Sequence, residues 1–144
     1  MSEPLPVVVI DANVIIRYIL RNDERLYALA ETIFVAVDAG KVRVLCDPVI
    51  LSEVVFVLTK TYDMPREEVA VGLIDILNSP GFVIPNKAHY LRALALLGTT
   101  VAHFGDACAC AAAIEETEGR LYSFDKKLSR VEGVTRLERV RKAD

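Results

Sequence analysis

The chain has 144 residues, 53 % of them hydrophobic, and a formal net charge of −3. That length supports one domain with a substantial core and is too short for two, and the apolar share excludes a disordered chain. No uncharged apolar run is long enough for a membrane span, so no membrane partner is expected.

The start, Met-Ser-Glu-Pro, lacks a basic region followed by an apolar one, so no secretion signal is expected and the expected compartment is the cytoplasm. Residues 7–13 then read Val-Val-Val-Ile-Asp-Ala-Asn. A short β-branched run of this kind fits a strand over 6–11 buried on both faces, with Asp11 at its carboxyl end, where open α/β sheets bind ligands. Asn13 is a candidate N-cap for a short helix over 14–20. Asn22 or Asp23 caps the next helix, in which Leu26, Leu29, Ala30, Ile33, Phe34 and Val37 follow helical spacing before Gly40 closes it. Residues 42–46 read as a second strand.

Asp47-Pro48 is a strong helix start, a capping carboxylate followed by Pro at the first helical position, and the helix is expected to run to about Tyr62. From Val49 to Leu58 it is apolar almost all round, interrupted mainly by Ser52 and Glu53, so one face is a candidate for contact with a partner chain. Pro65 opens another helix, with Glu67 and Glu68 in its first turn, which ends at Asn78-Ser79-Pro80-Gly81. A short strand over 82–84, a helix over 87–98 and a connector over 99–105 lead to Asp106. An Ala-rich helix over 107–118 ends at Gly119. A strand over 121–124 delivers Asp125, a turn or short helix occupies 126–130, and a last strand over 134–137 precedes a basic tail, about 137–144. Strands alternating with helices predict a single α/β domain over 1–144, with a mainly parallel sheet of about 4–5 strands and helices on both faces.

Charge is unevenly distributed. Residues 120–144 hold 8 Lys/Arg against 4 Asp/Glu, whereas residues 1–119 hold 9 against 16. A basic end beside an acidic body suits a phosphate backbone and equally suits a solvated surface. Cys46, Cys108 and Cys110 form no metal-type or redox-type spacing. On one helix Cys108 and Cys110 would point about 200° apart, so buried free thiols are expected.

Asp11 and Asp125 both follow predicted strands, and in one parallel sheet those strand ends share an edge. Asp106 begins a helix, where N-capping is the simple role, and Glu53 lies among apolar neighbours, where an ionised carboxylate is costly without a partner. Singly, each has a structural explanation. Together, four nearby carboxylates repel one another, and a hard divalent cation, Mg²⁺ or Mn²⁺, resolves the repulsion and suits attack of water on a phosphodiester.

Four segments carry a resemblance across nearly the whole chain: Val-Ile-Asp-Ala-Asn-Val-Ile-Ile (9–16), Leu-Ser-Glu-Val-Val-Phe-Val-Leu (51–58), Phe-Gly-Asp-Ala (104–107) and Leu-Tyr-Ser-Phe-Asp-Lys-Lys-Leu (121–128). In order and spacing they resemble the PIN-domain ribonucleases, and in size and layout the toxins of VapBC-type toxin–antitoxin pairs. The resemblance implies metal-dependent RNA cleavage in an acidic pocket of Asp11, Glu53, Asp106 and Asp125. Asp11, Asp106 and Asp125 would hold the ions, Glu53 would complete the pocket or orient water, and Asn13 and Ser123 would support them. It also implies a homodimer and a cognate antitoxin partner. Ser123 stands where Thr is common, and Cys108 and Cys110 where aliphatic residues or Ala are usual.

Among the remaining polar residues, Lys126, Lys127 and Arg130 follow Asp125 and are the preferred phosphate contacts. Arg17 and Arg21 face either substrate, an acidic partner segment or surface salt bridges, and His103 either a phosphate or its own connector. A haloacid-dehalogenase-like phosphatase also ends its first strand in Asp but needs a second Asp where this chain has Asn13. A response-regulator receiver needs an acidic pair that Ile10-Asp11-Ala12 lacks. The remaining alternative is a PIN-like module that binds RNA or a protein without cutting.

Overall fold

The structure is a computed structural model that describes residues 4–140. Among these residues five short strands form, and every pairing is parallel. β1 (Val7–Val9) pairs with β2 (Arg43–Leu45), which pairs with β3 (Phe82–Val83), in the register Val8 to Val44 to Phe82. β4 (Arg120–Tyr122) and β5 (Thr135–Leu137) make a separate pair, with Leu121 opposite Arg136. Parallel neighbours need long crossovers. α1 (Ala12–Leu20) and α2 (Glu24–Asp38) supply the first, and α3 (Pro48–Phe56) and α4 (Arg66–Leu77) the second. α5 (Lys87–Thr99) and α6 (Phe104–Glu116) then lead to β4, and a 3₁₀ turn, Lys126–Arg130, lies in the crossover to β5.

Local chemistry explains the helix ends. Asp23 accepts from the Leu26 amide at 3.0 Å, and Asp47 accepts from the Val49 amide at 2.8 Å ahead of Pro48. Gly40 closes the chain after α2 with φ +73°. Asp11, not Asn13, is the N-cap of α1, which starts two residues before the expected helix. The long apolar helix is α-helical only to Phe56 and continues as a π-helical turn, Val57–Thr61. There Thr59 Oγ1 donates to the Val55 carbonyl at 2.7 Å, and the Tyr62 amide reaches back five residues to Val57 at 3.2 Å.

The core is the meeting of α3–α6 with the first sheet. Leu51, Leu58, Leu73, Leu94 and Cys110 are completely shielded, and each buried leucine contributes about 1.5–3 kcal/mol. Cys46 is equally shielded, Cys108 is half-buried, and all three cysteines are free. No polar or charged side chain is buried among the described residues.

The expected α/β architecture with about 4–5 mainly parallel strands holds, and one expectation about it needs correction. β1 is an edge strand, not a strand buried on both faces: Val7, Val8 and Val9 are 49, 54 and 70 % exposed, and burial begins at Ile10. The five strands also divide into two sheets, because neither β1 nor β4 has a partner on its outer edge among the described residues. A β-branched run signals strand propensity, but its burial depends on a neighbouring strand far away in sequence.

Candidate functional site

Asp11 follows β1 by two residues and is exposed; its Oδ1 accepts from the Ala12 amide at 2.8 Å. Asn13 is exposed in the first turn of α1. Glu53 projects from α3 and is exposed, which removes the burial cost its apolar neighbours suggested. The helix phase explains this: Leu51, Val54, Val55 and Leu58 point inward, while Val49, Ser52, Glu53 and Phe56 form the outward face.

Asp106 is half-buried in the first turn of α6, which starts at Phe104 rather than after Asp106. His103, not Asp106, holds the N-cap position. The carboxylate thus lacks the capping role that was its simplest explanation, and it lies in the turn where the helix dipole favours an anion. Asp125 is exposed and caps the 3₁₀ turn, accepting from the Lys127 amide at 2.9 Å. Ser123 Oγ accepts from the Asp125 amide at 3.1 Å and so fixes the turn that presents this carboxylate.

The charges of Asp106 and Asp125 both bear on Cys110. Burial pushes its thiol pKa up first, and the negative charges of Asp106 and then Asp125 push it further. Cys110 lies one helical turn beyond Asp106 on α6. Among the described residues no three His, Cys, Asp or Glu side chains stand close enough together to hold a metal. The oxygen donors suit Mg²⁺ or Mn²⁺ chemically. The expectation that Asp11 and Asp125 share one sheet edge required β1 and β4 to lie in a single sheet, and their sheets are separate.

Lys126, Lys127 and Arg130 are exposed on the 3₁₀ turn beside Asp125. Of the basic tail, residues 141–144 lie outside the described residues, and Arg139 is exposed. Arg17 donates from Nη1 to Asn22 Oδ1 at 3.1 Å, and Arg21 lies over the Tyr27 ring, 4.7 Å from its centre. These contacts tie the end of α1 to the start of α2, so both arginines have local structural partners.

Arg136, on β5, escaped sequence reasoning. Its guanidinium donates to the Ser123 carbonyl at 2.9 Å, to Ser129 Oγ at 2.9 Å and to Glu138 Oε1 at 2.6 Å. It thereby clamps both ends of the turn that carries Asp125. The sequence signal was a cation inside a predicted strand, indistinguishable from the general basic excess of the C-terminal quarter.

A cavity lies beside the carboxylates rather than at them. It measures about 470 Å³, and its wall includes Ser52 and Gly105, the immediate neighbours of Glu53 and Asp106. Among protein families, the one described as PIN domain matches residues 8–134. A search of curated proteins finds no match. No helix among the described residues is long and apolar enough to cross a membrane.

Proposed function

Since the chain belongs to the PIN-domain family, whose members are typically nucleases, we propose that it is an endoribonuclease dependent on Mg²⁺ or Mn²⁺. It cleaves RNA phosphodiester bonds by hydrolysis. The observation that carries this reading is the match of the PIN-domain family over residues 8–134, with Asp106 in the first turn of α6 free of a capping role. Carboxylates without a salt-bridge partner leave a demand for positive charge, which a hard cation meets. Asp11 and Glu53 are the further acidic members of the site, and Asn13 and Ser123 support them. Lys126, Lys127 and Arg130 offer the adjacent positive charge for phosphates.

In biological role the chain is the toxin of a type II pair. It acts in the cytoplasm to inhibit translation and is silenced by a cognate antitoxin. The order of its acidic segments and its size support that assignment. A homodimer through α3 has less support, because the exposed apolar residues of that helix, Val49 and Phe56, flank Glu53, and a second copy there would cover it.

The test is cleavage of structured RNA by the purified chain with and without divalent metal. Cleavage is expected with Mg²⁺ or Mn²⁺ and none in chelator. Asp106→Asn should lower the rate by about 100-fold or more, the scale of losing one charge-handling group from a site. The melting temperature should barely change, since no hydrogen bond of the fold depends on that carboxylate among the described residues. The failure of any three acidic groups to gather favours a second reading, a module that binds RNA or protein without cutting. Absence of cleavage with every RNA and metal tried, together with tight binding, would select it.

A further inference from the structure

The 470 Å³ cavity has the size of a small-ligand site and a chemistry the fold does not require. Its wall joins the outward face of α3, the π-helical turn, the start of α4 and the start of α6. Phe56 stands at it 62 % exposed, a large aromatic with no core to fill. Lys60 and Arg66 line it, with His103 opposite. Arg66 Nε is shielded from water and has no hydrogen-bond partner among the described residues. Glu67, also in the wall, lies 3.8 Å from that atom, too far for a hydrogen bond, and is itself 59 % exposed. The Arg66 side chain as a whole is 36 % exposed, so its guanidinium charge is available to an anion entering the cavity.

An exposed aromatic beside two cations is what binds an unpaired nucleotide: the ring stacks a base and the cations take the phosphate. The π turn contributes to this grouping. It inserts one residue into the helix, which rotates the residues beyond it by roughly 100° relative to a continuous α-helix and sets where Lys60 points. The cavity wall also reaches Ser52 and Gly105, each next to an acidic residue of the proposed active site. An added Cβ at Gly105 would meet nothing within 4 Å, so the backbone there is open to a ligand.

We propose that this cavity is a subsite for one unpaired RNA nucleotide next to the cleaved bond, with its base on Phe56 and its phosphate on Lys60 and Arg66. Its place beside the cleaved bond rests on the nuclease reading; the capacity to bind the nucleotide does not.

Binding of a labelled single-stranded RNA of about six nucleotides to the full chain, measured by anisotropy in chelator so that cleavage is off, tests it. Lys60→Gln, at an exposed position, and Arg66→Gln should each weaken binding about 5–10-fold and reduce the log–log salt slope by roughly 0.7. Phe56→Ala should weaken it about 10-fold without changing the slope, and Phe56→Tyr should restore it. Unchanged affinity in Lys60→Gln and Phe56→Ala overturns the proposal, as does failure of the wild type to bind at low salt. If Phe56→Ala alters sedimentation but not RNA affinity, the face joins copies of the chain and the proposal is wrong. Inorganic phosphate that competes as well as 5′-AMP would mark a free-anion site, which also overturns it. A wild type that binds in this way but never cleaves keeps the subsite and removes the nuclease reading. One that cleaves while the variants bind normally does the reverse.

Discussion

Burial pushes the Cys46 thiol pKa from 9.0 to about 11, with the adjacent Asp47 charge adding to the effect, and burial alone takes Cys108 to about 11. The unfolded chain releases these protons near pH 9, whereas the native chain retains them. Stability is therefore complete below pH 9 and falls as the pH rises from about 9 to about 11, with a limiting slope of about 1.4 kcal/mol per pH unit for each such thiol. Urea midpoints measured between pH 8 and 10.5 should decline, and Cys46→Ala should flatten part of the decline; a flat wild-type profile would contradict the burial effect. Sequence alone identified the thiols as free from their spacing, and as buried correctly for Cys46 and Cys110 but not for the half-buried Cys108. Glu53 was less legible. Its immediate neighbours are apolar, and only the phase of the helix reveals that it shares the outward face with Ser52 and Phe56. Asp106 was misplaced by three residues of helix start, because Phe104 and Gly105 carry no capping signal that would mark the true beginning.

At the scale of elements, the C-terminal strand pair depends on two contacts that no local pattern displays. Gly119 enters β4 with φ +85°, and a Cβ there would sit against the Gly133 carbonyl, closer than real Cβ atoms come. Gly119→Ala should destabilise the chain by at least about 2 kcal/mol, the sum of a left-handed conformation and a backbone clash. A loss under about 0.5 kcal/mol in urea unfolding would show that the strand can shift. Arg136 connects the same pair to the Asp125 turn. Arg136→Ala should cost about 1–3 kcal/mol of stability through its lost charge-assisted bonds and lower RNA cleavage further than Ser129→Ala does. Arg136→Lys should not restore it, because one ammonium cannot replace the planar fork that spans Ser123 and Ser129. Equal activity of Arg136→Ala and the wild type would remove its positioning role. Helix starts at Asp23 and Asp47 were readable because their chemistry lies within three residues. The partners of Arg136 lie on other elements and become neighbours only when β5 takes its register with β4.

At the scale of the whole molecule, the succession of strands and helices and the parallel pairing were legible in the alternation of apolar periodicities. The division into two sheets was not, because it concerns strands more than a hundred residues apart. Where these sheets meet no hydrogen-bonded ladder, they need not open together. The Ser123 and Thr135 amides bond to Leu137 and Gly119 within the small pair, whereas Val44 and Cys46 bond to Gly81 and Val83 in the larger sheet. Native-state deuterium exchange should therefore separate two sets of clocks, with Ser123 and Thr135 exchanging at least about 10-fold faster than Val44 and Cys46. A single common rate would mean that one cooperative unit spans both sheets. Two rates would mean that the turn bearing Asp125 can detach while the scaffold of Asp11 and Glu53 stays folded, so that the chain spends a measurable part of its native lifetime with its acidic set taken apart.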